Sequence, residues 1–240
     1  MSNVSKRTHQ RQRPVVWALT ILAGLWLPVG LVAQPPPALK RPLVEIRTSA
    51  GNLIVALFNE TPAHRDRFLG LVDDGAYDSL LFHRVVRGFA IEGGDMASKH
   101  APRGTALGMD ADSVGLAEEI APGLIHKRGA LSAAPAGETP ECAGRTHSSR
   151  FFFVLGDLYT KEELDAVAER NTASGRPYTY TEAEILDYAS EGGLPRLDGA
   201  YTVFGEIVDG WEVLDTLAAL PCNEWDRPLE DVRMFMRRLQ

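Results

Sequence analysis

Residues Leu81–Asp95 read LFHRVVRGFAIEGGD. Phe82–Val86 and Phe89–Ile91 are apolar, β-branched runs of strand length, and Gly93-Gly94-Asp95 after them is turn-like. One residue does not belong in an apolar strand. Arg84 is flanked by Phe82, Val85 and Val86, so it either snorkels from a sheet edge or lines a cavity. On composition alone the edge reading prevails.

Upstream, Leu43–Thr48 and Leu53–Phe58 are separated by Ser-Ala-Gly-Asn, which predicts a hairpin. Thr61 is placed to cap a helix, Pro62 suits its first position, Phe68, Leu71 and Val72 fall at helical spacing, and Gly75 ends it. Downstream, a loop-rich passage runs from Met96 to Lys127. Strands are expected at Gly129–Ala134, Phe151–Leu155 and Tyr201–Val208, a helix at Trp211–Leu220, and a last strand along which Val232, Met234 and Met236 alternate. An acidic insertion, about 157–194, carries two capping boxes, Thr160 with Glu163 and Thr181 with Glu184, and so predicts two short helices. Many short strands and few helices indicate an all-β barrel or sandwich with helical plugs.

The chain has 240 residues and a formal charge of −7. Residues 1–33 carry four of the 25 basic residues and no acid, which leaves 21 basic against 32 acidic residues in the remainder, a formal −11. A body that acidic repels a phosphate backbone, which argues against nucleic acid as a partner. The basic start is followed by 19 uncharged residues, Val15–Ala33, and then Gln34-Pro-Pro-Pro. This is the pattern of an export signal peptide cleaved after Ala33. The rival reading is an uncleaved anchor, because 19 apolar residues nearly span a bilayer. Pro28 and two internal glycines favour the signal. Residues 34–42 then form a proline-rich linker, 43–240 the folded domain, and the expected location is periplasmic or secreted. The only cysteines, Cys142 and Cys222, either bridge in an oxidising compartment or remain two buried free thiols.

Standard catalytic signatures are missing: there is no dinucleotide glycine fingerprint, no P-loop, no zinc-protease helix and no nucleophile elbow. The six histidines have no ligand-type spacing, so no metal site is expected. His83, among apolar neighbours, reads as a core histidine with a satisfied ring, Glu118 and Glu119 as solvated surface, and Ser148 and Ser149 as lacking a partner that would mark a nucleophile.

LFHRVVRGFAIEGGD resembles the signature of the cyclophilin family of peptidyl-prolyl cis-trans isomerases. Gly129–Gly137 (GALSAAPAG), Ser148–Gly156 (SSRFFFVLG), Leu197–Gly210 (LDGAYTVFGEIVDG) and Arg227–Met234 (RPLEDVRM) are similar to further family motifs, in the family's order, over about Leu43 to Leu239. The resemblance implies a closed eight-stranded antiparallel barrel with a helix over each end. It places the family's arginine on Arg84 and the proline pocket on Phe89, Phe152 and Leu197. Tyr201 stands at the usual histidine, and Ala134 where a small residue lets the substrate backbone approach. Period-2 geometry independently singles out Phe152, which must face opposite to Phe151 and Phe153.

The implied reaction is rotation about an X–Pro bond, whose barrier is ~18–20 kcal/mol. It moves no proton and needs no cofactor. In the twisted transition state the prolyl nitrogen regains its lone pair, so a guanidinium can donate to it then and much less in the planar ground state. Departures from the family pattern surround this site: Ala90 for methionine, Glu92 and Arg150 each for glutamine, Pro135 for asparagine, and Arg196 for a bulky aromatic. Ala90 is expected to enlarge the pocket. Glu92 and Arg150 are expected to pair with each other, the alternative being that Glu92 captures Arg84.

Three readings follow: a prolyl isomerase acting on proline-containing peptides and unfolded exported proteins; a weakly catalytic peptide-binding module or chaperone on the same fold; and a tethered scaffold working through the insertion. A monomer is expected, membrane-bound only if 15–33 is uncleaved. Loss of the aromatic at Arg196 also predicts weak cyclosporin binding, which a titration checks.

Overall fold

Alternation along the strands decides the architecture. In the computed structural model, which describes residues 40–112 and 114–239, Phe151 and Phe153 enter one hydrophobic core while Phe152 enters another. The expected export segment and most of the proline-rich stretch lie outside the described residues. Among the described residues, no helix is long and apolar enough to cross a membrane.

The elements are β1 (Leu43–Thr48), β2 (Gly51–Leu57), α1 (Pro62–Asp73), β3 (Phe82–Val86), β4 (Ala90–Gly93), β5 (Leu116–Ala117), β6 (Ala130–Pro135), β7 (Arg145–Val154), α2 (Lys161–Ala173), α3 (Glu182–Ser190), β8 (Val203–Asp209), α4 (Trp211–Ala218) and β9 (Phe235–Leu239). Short 3₁₀ turns cover Met96–His100, Pro140–Cys142 and Pro195–Leu197. Eight strands run antiparallel in the order β3-β4-β7-β6-β8-β2-β1-β9, and the two-residue β5 pairs with β7.

The sheet curls but stays open, which corrects the closed barrel expected from the sequence. β3 and β9 are its two edges. The chain that would ladder along β3 is 226–234, and it forms no regular ladder there: it makes one isolated bridge to that side, Leu81 to Arg233, and accepts backbone hydrogen bonds from Phe82 and Val85 at Val232 O and Asp226 O. Asp226 has a positive φ of 58° and Pro228 has no N–H to donate. The side chains of Arg227, which is buried, and Arg233 are instead committed to carbonyls of Pro102, Thr105, Ser79 and Lys99. A regular strand begins only at Phe235.

Apolar faces of α1 (Phe68, Leu69, Leu71, Val72) and α4 (Val213, Leu214, Leu217) share one core with Leu53, Leu131, Phe151 and Phe153. Val232, Met234 and Met236 alternate into it as expected, although only Met236 lies in β9. Thr61 stands at the start of α1 but makes no side-chain cap. Glu119 does so instead, accepting from the backbone N–H groups of Ala63 (3.1 Å) and His64 (3.0 Å). Glu119 is therefore not free surface: its carboxylate satisfies donors the helix end leaves open. Cys142 and Cys222 are both free thiols, the first buried and the second half-buried.

Both capping boxes form, opening α2 at Thr160 and α3 at Thr181. The two ends of this helical segment meet where the N–H of Gly193 donates to Asp157 O at 2.9 Å. Gly156 makes the approach feasible: its φ is 71°, and a Cβ there would lie 1.9 Å from Gly193 O. Gly156→Ala is expected to destabilise the fold by roughly 2–4 kcal/mol, because it adds a clash to a left-handed conformation. Denaturant melts of the two proteins check this.

Candidate functional site

Strand register lines up the candidate residues. Arg84 on β3 pairs with Glu92 on β4, Glu92 with Phe152 on β7, Phe152 with Ser132 on β6, and Ser132 with Val203 on β8. Because side chains alternate, this row faces away from the core that receives Val85, Ile91, Phe153 and Leu131. The β3–β4 hairpin turns tightly through Gly88 (φ 66°), which leaves Phe89 beside the row.

The apolar part of the site is a second core: Ala90, Ala134, Phe152, Val154, Leu197 and Val203, with Phe89 and Tyr201 half-buried against it. Ala90 is fully buried in this cluster, opposite Val154. Structure and sequence thus agree that Phe89, Ala90, Ala134, Phe152, Leu197 and Tyr201 converge.

Arg84 is the cation at the edge of this apolar surface, 36% exposed. Its Nη1 donates to Glu92 Oε1 at 2.6 Å, and Nη2 stands 3.4 Å from Asp226 Oδ2. Cross-strand pairing puts Glu92 and Arg84 side by side, so the alternative pairing is the one adopted. The expected pair of Glu92 with Arg150 does not form. Arg150 is buried and donates instead to the carbonyls of Gly108 and Asp110, anchoring that loop. Sequence reasoning missed Asp226, which no motif marks and which reaches Arg84 only through the turn before β9. The Glu92 contact was legible in principle, since a tight hairpin from Val86 to Ala90 sets Arg84 opposite Glu92.

Behind the apolar wall lies a buried polar hub that sequence reasoning also missed. Asp198 Oδ1 accepts from the His126 backbone N–H at 2.8 Å and lies 2.8 Å from His126 Nδ1. Asp198 Oδ2 accepts from Tyr188 (2.6 Å) and Tyr180 (3.1 Å). His126 Nε2 is 3.1 Å from Ser132 Oγ, and its ring stacks on Phe152 with centroids 6.3 Å apart, tilted 14°. Tyr201 meets the same imidazole edge-on at 6.4 Å. Asp198 directly follows Leu197, so the hub fixes that wall of the pocket. Among the described residues no group of three or more His, Cys, Asp or Glu side chains is arranged to hold a metal ion.

His83 is buried on β3, as expected, but neither ring nitrogen has a hydrogen-bond partner among the described residues, so its ring is not satisfied as expected. Burial is the main cause that pushes it down to about 4, opposed by Asp95 and aided by Arg150. Folded His83 therefore stays neutral while the unfolded chain takes up protons below about 6.5. Its contribution is full above pH 6.5 and is lost as pH falls toward 4, by roughly 3 kcal/mol at most. Burial also lowers His64 and His147, so these two groups act in the same direction. Denaturant melts from pH 4 to 7 are expected to show this slope, and His83→Gln to reduce it.

Comparison with known proteins gives this site a family. The family model described as cyclophilin type peptidyl-prolyl cis-trans isomerase/CLD matches residues 43–237. A provisionally named bifunctional phosphatase/peptidyl-prolyl cis-trans isomerase of Streptococcus pyogenes serotype M6 is 37% identical over 197 residues, which are 80% of this chain and 37% of that protein. This chain thus spans little more than a third of that relative. A provisionally named peptidyl-prolyl cis-trans isomerase of Staphylococcus aureus is 33% identical over 79% of this chain and 87% of its own length. Among solved structures, the Cryptosporidium parvum cyclophilin type peptidyl-prolyl cis-trans isomerase superposes with a TM-score of 0.56 at 26% identity, covering 83% of this chain and 98% of that one. A second crystal structure of that protein, in the presence of the dipeptide Ala-Pro, gives 0.53 at 27% identity over 81% of this chain and 96% of that one. With a family match spanning the sheet, the hairpin that carries Arg84 and the wall that carries Leu197, the chain belongs to the cyclophilin-type peptidyl-prolyl cis-trans isomerases.

Proposed function

We propose that the chain rotates X–Pro peptide bonds in unfolded exported proteins, with Arg84 as the catalytic donor. The observation that carries the reading is the single cross-strand row that sets Arg84, Glu92 and Phe152 in succession on the site face, with Phe152 packed in one cluster with Phe89 and Leu197. Phe89, Phe152 and Leu197 grip the prolyl ring, and Ala134 leaves room for the peptide backbone. A guanidinium carries five N–H donors. Glu92 takes one and Asp226 crowds another, and the rest remain to reach the prolyl nitrogen as it becomes pyramidal. A charge-assisted bond of this kind contributes ~1.5–3 kcal/mol, roughly one to two decades of rate. The apolar grip supplies the remainder by holding the twisted bond out of water. The relative solved with Ala-Pro supports short proline-containing peptides as the substrate class. The sequence of residues 1–33 supports work outside the cytoplasm, as a periplasmic or secreted monomer, or as an anchored one if Val15–Ala33 is retained.

A second reading has its own observation. With Glu92 at 2.6 Å and Asp226 at 3.4 Å, Arg84 is partly engaged before substrate arrives, which suits a peptide-binding module with slow turnover. Exchange measured by NMR on a proline-containing peptide separates the two. Catalysed exchange that falls roughly 10- to 100-fold in kcat/KM with Arg84→Ala supports the isomerase; no exchange by folded wild type supports the binding module. Glu92→Gln removes the competing carboxylate and is expected to raise kcat/KM by roughly two- to fivefold. Unchanged kinetics there would remove Glu92 from the mechanism.

A further inference from the structure

We propose that Arg196 selects peptides bearing an acidic side chain beside the proline, and that the helical insertion holds the wall from which it reads them. The inference rests on the isomerase site proposed above and names its substrate preference. Three arginines surround that site and two are already engaged: Arg84 by Glu92 and Asp226, Arg150 by the carbonyls of Gly108 and Asp110. Arg196 is exposed, and among the described residues its guanidinium has no ion-pair partner. Its contact is with a pocket ring: Cζ lies 4.8 Å above the centroid of Phe89. The ring's negative face orients the cation without neutralising it, so a planar two-pronged donor stands at the rim of the proline pocket. A carboxylate on a residue adjoining the bound proline can pair with that fork.

The mount is built for the purpose. Pro195, Leu197 and Asp198 are buried, and only Arg196 of this segment projects. Pro195 O accepts from Asn171 Nδ2 of α2 (3.3 Å) and from the Tyr180 hydroxyl (2.9 Å). Three residues on, Asp198 is held by Tyr180 and Tyr188. The insertion therefore ties down the backbone on both sides of Arg196.

The test uses three peptides that differ only in Glu, Gln or Lys beside the proline, with binding followed by fluorescence anisotropy and exchange by NMR. Wild type is expected to favour the Glu over the Lys peptide by roughly three- to tenfold at low salt, less at high salt as screening grows. Arg196→Gln should bring the ratio close to one, and Arg196→Glu should invert it. Tyr180→Phe should shrink it by loosening the mount; an unchanged ratio there removes the insertion from the account. Equal binding of all three peptides by wild type, or the same ratio in Arg196→Gln, overturns the proposal even if exchange is rapid. Discrimination in binding without exchange keeps the selectivity and rejects the isomerase reading.

Discussion

Everything at the site depends on the two-residue alternation of β4, β7 and β6. The same three strands that bury Ile91, Phe153 and Leu131 present Glu92, Phe152 and Ser132 on their other face. A one-residue slip anywhere in this trio would put a carboxylate into the core and a phenylalanine out of the pocket. The tightly packed inner face therefore enforces the outer one. Packing energy that has nothing to do with peptide binding fixes the positions on which binding relies.

Electrostatics is less evenly determined. The body of the chain is acidic, yet three arginines gather around one apolar surface, each in a different situation: one flanked by carboxylates, one buried against carbonyls and one perched on an aromatic ring. Identical side chains thus perform different tasks because their partners differ. The first offers a restrained donor, the second anchors a loop, and the third keeps its charge available.

Much of this was readable before any coordinates. The period-2 reading placed Phe152 opposite its neighbours, and the capping boxes located α2 and α3, because both signals are local and each has a single geometric solution. Of the residues drawn from motif resemblance, Phe89, Ala90, Ala134, Phe152, Leu197 and Tyr201 pack together, whereas Arg150 turns to the 108–110 loop. Long-range choices were harder. Glu92 was offered two arginines, and only the hairpin register decides between them. The cap of α1 passed from Thr61 to Glu119, 58 residues away in sequence, because a carboxylate at a helix start outcompetes a local hydroxyl. Closure of the barrel failed for a similar reason. The edge opposite β3 is set by a proline, a left-handed aspartate and two arginines that prefer distant carbonyls, and no local pattern reports on all four.

The carboxylate of Asp198 has a consequence for how the molecule folds. It sits out of water and accepts from groups in two places, His126 from the sheet side and two tyrosine hydroxyls from the insertion. Neither half satisfies it alone, and a buried carboxylate lacking part of its donors is costly. The added helices are accordingly not a detachable ornament with their own folding transition. They and the peptide-binding face should open and close together, so amide protons on both sides of Asp198 share one protection free energy. Removing the segment would strip the carboxylate beneath the pocket wall of both its tyrosine donors.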